Sequence, residues 1–355
     1  MKNFRTMPLT VLLMTSLMPC WFGVFAYGGQ LRCLEMGLKT PPPSLKWLND
    51  LFQIEGGHKQ FVVPNEQNTE DFVPHLANHP GGIYLSVGTE RGLMGAVKSR
   101  SGALLWVDRE SHIKAYNLST RGLLALAKIG DVDDYLELRL HASEETIHAR
   151  VEKALKERQV STEILLPLLS PNFFPWWTEV VRKNSAWSGF DRDLDKADIF
   201  AMANYLRDPK ELAYAQNLIL SNKVYILEAD LAEIEVISDQ LKSIQQQHGF
   251  YLHFLDFSNA WEEGYLGHAK SVDLIRALSN ATLNSNHFKV LASIIDYNRP
   301  NNGNTNSRWR FTSKEVTAGS NTDAEIWNHF RLLAQIGQFK HNPIEFRNSR
   351  LSNDW

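Results

Sequence analysis

GGIYLSVGTERG, residues 81–92, decides how the rest of the chain reads. An apolar run ends there in a glycine-spaced turn, and the LMGAVKSR that follows (93–100) reads as a helix. A strand that turns on glycines into a helix is how many α/β proteins bring their backbone up to a nucleotide. The middle position of this turn, where such loops carry glycine, is Glu90. Three readings are open: a nucleotide-binding turn, a reworked copy of one, or an ordinary strand-to-helix corner.

Outward from the turn, five apolar segments read as buried strands: GIYLSVG (82–88), ALLWVD (103–108), KVYILEAD (223–230), YLHFLDF (251–257) and KVLASIID (289–296). None alternates cleanly, and near-continuous apolar runs are what a parallel sheet covered on both faces requires. Helical stretches lie between most of them. In EIEVISDQLKSIQQQHG the residues Ile234, Ile237, Leu241 and Ile244 form one apolar stripe, and Gly249 suits a helix stop. Strand and helix in alternation predict an α/β fold with a doubly wound, mostly parallel sheet. The stretch between the second and third strands is far longer than a crossover needs, so 130–220 is expected to be a helical insertion. It holds SEETIHARVEKALKERQ, an acid-first, base-last helix that complements its own dipole, and the aromatic cluster Phe173, Phe174, Trp176 and Trp177. That cluster reads as core packing, with an aromatic wall over a ligand cleft as the sharper alternative. The polar NRPNNGNTNSR (298–308) joins the fifth strand to an antiparallel return, WRFTSKE. The expected division is a leader over 1–26, an N-terminal cap over 27–75, sheet halves over 76–129 and 221–355, and the insertion between them.

Lys2, Arg5, the apolar PLTVLLMTSLMPCWFGVF and the small residue Ala26 read as a secretory signal peptide cut after Ala26, with a retained anchor as the rival. Export to the periplasm or medium, or delivery into another cell, follows from the first reading. The net charge of −3 becomes two units more negative once that leader is gone, which argues against nucleic acid as a partner. No membrane association is expected of the mature chain. Of two cysteines only Cys33 lies beyond the leader, so an exported chain would depend on its core rather than on an intramolecular disulfide.

The residues that close the strands carry the chemistry, because ligands in open α/β sheets sit outside the carboxyl ends of the strands. Strand one closes on Ser86 and Gly88, strand two on Asp108, strand three on Asp230, strand four on Asp256 with Ser258 and Asn259, and strand five on Asp296. Aspartate is also a common turn former and helix cap, so it is their convergence that points to a ligand.

With that order of turn and acids, the chain resembles the class I S-adenosylmethionine-dependent methyltransferases. In GGIYLSVGTERG, VYILEADL and FLDFSNAWE it is similar, more narrowly, to an uncharacterised bacterial family with a methyltransferase-like Rossmann fold. The resemblance covers roughly residues 75–300. It implies that Gly88, Glu90 and Gly92 form the cofactor turn, that Asp108, 20 residues beyond Gly88, binds the ribose hydroxyls, and that Asp230 accepts from the adenine amino group. Asp256 and Asn259 would face cofactor and acceptor, Asp256 as a base or orienting group. Two departures stand out. The acid that ends strand one in that family is Ser86 here, and Glu90 replaces the middle glycine, where its carboxylate could take over the ammonium of methionine.

Other signals point elsewhere. YLSVG is half of a nucleophile elbow with Tyr84 where glycine belongs, so a serine hydrolase using Ser86 is a minor alternative. His75 and His79 have the spacing of a metal pair on a helix, but Pro80 stops a helix there and no metal is expected. DVDDYLE (131–137) lacks the glycine and spacing of a calcium loop and reads as a solvated acidic turn. The expected function is a methyltransferase-like protein with S-adenosylmethionine as its cofactor. The main alternative is a secreted, non-catalytic binding domain that retains the Rossmann-like sheet.

Overall fold

The computed structural model describes residues 24–27, 30–33, 46–52, 71–76, 81–183, 204–262, 265–281, 287–295, 309–317 and 328. Strands β1 (Val24–Tyr27) and β2 (Gln30–Cys33) pair antiparallel as a small sheet of their own. Of the expected leader only residues 24–26 are described, and they belong to β1. Helix α1 (Lys46–Leu51) follows.

The main sheet is mixed and mostly parallel. Its strands are β3 (Ile83–Val87), β4 (Ala103–Asp108), β5 (Val224–Glu228), β6 (Leu252–Asp256), β7 (His287–Ile295) and β8 (Trp309–Thr317). Their spatial order is β5-β4-β3-β6-β7-β8, and only β8 runs antiparallel, against β7. All five apolar runs are strands, and WRFTSKE is the antiparallel return. Asp296 and the 298–308 connection lie outside the described residues.

Side chains alternate across the pleat, and both sets are buried. Tyr84, Leu104, Trp106, Phe254 and Leu291 face one core; Ile83, Leu85, Leu105, Val107, Leu255 and Val290 face the other. The first core is covered by α2 (Glu90–Lys98), α3 (Ser111–Leu126) and the helices that follow: α4 (Val132–Leu136), α5 (Glu144–Lys156), α6 (Thr162–Leu165), α7 (Phe173–Trp177) and α8 (Pro209–Leu220). The second is covered by α9 (Ile234–His248) and α10 (His268–Ala281). With apolar partners on both faces, most positions of the inner strands are apolar, which is why the sequence showed runs rather than alternation.

Helix α9 follows its stripe: Ile237, Leu241 and Ile244 are fully buried, Ile234 packs at the margin, and Gly249 ends the helix at φ +69°. Only glycine enters that left-handed region cheaply. Helix α5 begins at Ser143, whose hydroxyl accepts from Thr146 N at 3.2 Å, and carries Glu144 and Glu145 first and Lys153 and Lys156 last. The expected acidic turn is a helix start instead. Asp131 caps α4, and Asp134 takes two 2.8 Å bonds from Arg150, which hold its carboxyl below its ordinary range.

The aromatic cluster is core. Phe173, Trp176 and Trp177 are buried, the first two packed on Phe52, and Trp177 stacks on Tyr116 with centroids 5.7 Å apart. It forms no wall of the cleft described below. The helices after α3, together with Phe52 and Phe72 from the N-terminal segment, share one continuous core with the sheet. Among the described residues no helix is long and apolar enough to cross a membrane.

Candidate functional site

The chain runs outward from β3 through β4 to β5, then returns to place β6 on the other side of β3. The loops leaving β3 and β6 therefore diverge, and a crevice opens over the carboxyl ends of the strands. A cavity of about 200 Å³ lies there. Four loops build it: Val87–Gly88–Thr89 after β3, Val107 to Glu110 after β4, Ala229 to Leu231 after β5, and Ser258 to Ala260 after β6, with Tyr265 and Leu266 at one side.

Gly88, Asp108, Asp230 and Asn259 thus line one cleft. Gly88 has φ +81° with open space where a Cβ would stand, so the residue is chosen for its backbone angle. Its carbonyl accepts from Asn117 Nδ2 at 2.9 Å, which anchors the turn to α3. Asn117, in a glycosylation sequon by sequence, is buried. The Asp108 carboxylate accepts from the backbone N–H of Glu110 at 3.0 Å and from that of Gly88. Burial nonetheless outweighs those bonds and raises its carboxyl above the usual range. Asp230 is more open. One oxygen accepts from Ala232 N at 2.8 Å, and the other lies 3.7 Å from Arg109 Nη1 across the mouth of the cleft.

Four expected site residues are not in the lining. Ser86 is fully buried and donates to Val87 O at 3.1 Å, outside the lining of the cleft, a position that does not favour its use as a ligand group or as the nucleophile of the hydrolase reading. Glu90 points away from the cleft. Arg139 Nη1 donates to it at 3.1 Å, Tyr116 at 2.7 Å and Tyr205 at 3.0 Å, all buried. Its carboxylate is committed to Arg139, Tyr116 and Tyr205 and stands outside the cleft where the ammonium of methionine was expected. Gly92 is a packing glycine. A Cβ there would overlap Trp106 Nε1, and Trp106 itself donates to Thr89 O at 2.9 Å. Asp256 is sealed below the floor. Arg91 Nη2 donates to it at 2.6 Å, Tyr84 at 2.9 Å and Ser258 N at 3.0 Å, an arrangement that ties the loop to the sheet and keeps the carboxylate out of the cleft lining. Burial and the neighbouring Asp256 charge push the Tyr84 hydroxyl well above its ordinary range.

Residues that the sequence reasoning missed complete the lining. Arg91 reaches the cleft from α2; its guanidinium also donates to Ser293 at 3.1 Å and lies 4.9 Å from the Phe72 ring and 5.2 Å from Phe311. Thr89 stands at the start of α2, 2 % exposed, and its hydroxyl caps nothing and has no partner among the described residues. A threonine before a helix ordinarily caps it, so this idle hydroxyl was a visible position with an unforeseeable role. His75 packs on β8, its Nδ1 3.0 Å from Ser313 Oγ, while His79 lies outside the described residues. Among the described residues no group of three metal-ligating side chains comes together.

Residues 61–290 match the model of a family described as a domain of unknown function, DUF7790. The chain belongs to that family. The matched span includes every strand from β3 to β6 and all four cleft loops, while β8 lies beyond it. None of the curated proteins matches the chain.

Proposed function

We propose that the protein is a methyltransferase-like domain on a doubly wound, Rossmann-like sheet, and that its cleft binds the nucleoside of S-adenosylmethionine. The convergence of Gly88, Asp108 and Asp230 on one cavity carries this reading. Helices α2, α3 and α8 on one face and α9 and α10 on the other, with the order reversing between β3 and β6, support the sheet's assignment.

The residues present fit the nucleoside part. Asp108, closing β4, can accept from two vicinal hydroxyls, as one carboxylate has room for several donors. Val87, Val107, Ala229 and Leu231 supply apolar walls for a flat base, and Asp230 offers an acceptor for an amino group. The orphaned Thr89 hydroxyl is a further polar contact at the turn. Keeping a carboxyl buried against its own preference is characteristic of functional sites.

The aminoacyl end fits less well, since Ser86 is covered and Glu90 is turned away. That observation, with Asp256 locked by Arg91 and Tyr84, favours a second reading in which the domain binds the nucleoside without transferring a methyl group. If transfer occurs, this chain's contribution is to hold donor and acceptor in attack geometry. The cofactor itself supplies an electrophilic methyl group.

Thermal denaturation with S-adenosylmethionine, S-adenosylhomocysteine and adenosine tests the binding. A ligand at 100 times its dissociation constant stabilises the native state by about 2.7 kcal/mol, so the midpoint rises with concentration. No rise at millimolar ligand overturns the nucleoside reading. Formation of S-adenosylhomocysteine on incubation with extract of the producing cells separates transferase from binder. We also propose export through the N-terminal leader; finding the full-length chain only in the cytoplasm would refute it.

A further inference from the structure

The cleft is divided in its chemistry. Adjacent strands lie about 4.8 Å apart, so the ends of β4 and β6, on either side of β3, stand about 10 Å apart, and those of β5 and β6 about 14 Å. The charged lining gathers at the β4 and β5 end: Asp108, Arg109, Glu110 and Asp230. The loops after β6 contribute Ser258, Asn259, Ala260, Tyr265 and Leu266, none of them charged. The one cation that reaches the cleft from α2, Arg91, is neutralised by Asp256 at 2.6 Å.

Within the uncharged end, Tyr265 is conspicuous. It is 48 % exposed, although Leu266 beside it is buried. Its backbone is not loose: Tyr265 N donates to Glu262 O at 2.9 Å, and Leu266 N to Ala260 O at 3.0 Å. The loop is pinned beneath by Trp261, which donates to Ser293 O at 2.9 Å and stacks on His268. A large ring held half in water at the wall of a cavity presents a face to whatever enters. Asn259 stands in the same loop. Its amide oxygen is 3.4 Å from Ser258 Oγ, and its amide nitrogen has no partner among the described residues.

We propose that the β6 end of the cleft is a second subsite that takes an uncharged, planar aromatic molecule, stacked on Tyr265 with its hydroxyl or carbonyl bonded by the Asn259 amide. This rests on the nucleoside reading of the other end and names the class of acceptor, or of co-ligand, that lies beside it. A charged acceptor is disfavoured because the described residues that line the subsite include no unpaired ion to meet it, and an aliphatic one because a ring face is offered.

The probe is 2-naphthol, flat, neutral and fluorescent, titrated into the full chain in saturating S-adenosylhomocysteine, with the saturated analogue 2-decalol as competitor. The expected result is that 2-naphthol binds, that Tyr265→Ala weakens it about tenfold, and that Tyr265→Phe stays within about twofold, given the size of single aromatic contacts. Asn259→Ala weakens 2-naphthol several-fold but not naphthalene. Tyr265→Ala leaves S-adenosylhomocysteine affinity unchanged, and far-ultraviolet circular dichroism and urea midpoints close to those of the parent chain show that both variants fold. Equal binding of decalol and naphthol, or indifference of naphthol to Tyr265→Ala, overturns the proposal. Naphthol binding that depends on Tyr265 while S-adenosylhomocysteine fails to bind retains the aromatic subsite and removes the nucleoside reading.

Discussion

Replacing Glu90 decides whether the odd residue of the turn is a ligand group or a structural one. Its carboxylate and the Arg139 guanidinium are both 0 % exposed and 3.1 Å apart, with Tyr116 and Tyr205 hydroxyls completing the carboxylate's bonds. Arg139 sits in a π-helical turn (Glu137–His141) that Arg182 and Trp177 hold by bonding its carbonyl, so the guanidinium has little freedom to find water. Glu90→Ala therefore leaves a buried, uncompensated charge, and breaking such a pair costs about 3–5 kcal/mol. With a urea slope of roughly 3 kcal/mol per molar, at the upper end for small proteins, the midpoint falls by about 1–1.7 M. Arg139→Met alone falls comparably, because it strands the carboxylate instead. The double variant Glu90→Ala with Arg139→Met removes both charges and loses much less than the sum, a coupling of about 2 kcal/mol or more. Urea titration followed by circular dichroism reads all three. Single losses below about 1 kcal/mol, or additive losses, would refute the reasoning, since such values belong to a solvated pair. A loss of S-adenosylmethionine affinity in Glu90→Gln without a change in midpoint would restore the ligand role denied here.

Asp108→Asn is expected to abolish the thermal shift by adenosine while raising the melting temperature of the unliganded protein at pH 7. The folded state raises the carboxyl's pKa, so it binds more protons than the unfolded chain, and stability falls as pH rises from the unfolded value through the folded one. Melting curves of the two proteins should converge in acid, where both are uncharged at this position; a gap that widens there contradicts the sign. Gly92→Ala should cost about 1–3 kcal/mol by overpacking Trp106. Gly88→Ala should cost about 1–2 kcal/mol through its positive φ alone, and urea midpoints compare the two. Strain relieved at Gly92 by a second change, Trp106→Phe, with none at Gly88, confirms the different causes. Asp256→Asn is expected to lower the midpoint by about 3–5 kcal/mol equivalent, because Arg91 loses its buried partner; an unchanged midpoint would return Asp256 to the list of candidate bases.

The sheet was legible in the linear chain because burial on both faces writes itself locally. GIYLSVG, ALLWVD and YLHFLDF are apolar over most of their length, and a strand needs only its own few residues to show that. The α9 stripe and Gly249 were equally local, one by helical period and the other by a backbone angle that other residues avoid. Even the cleft's acids could be read, since a residue that closes a parallel strand is carried to one rim by the topology alone. The direction of a side chain could not. Glu90 and Arg91 are neighbours at the start of α2, yet Glu90 turns to Arg139 and to Tyr205, 115 residues away, while Arg91 reaches Asp256 on the other side, 165 residues away. Asp256 and Asn259 close the same strand, and packing sealed the first while leaving the second in the wall. Local periodicity sets which residues become strand, helix and turn, because it is written within a few positions. Which charges are spent inside and which face a ligand depends on partners brought together by folding, and only the assembled core could decide it.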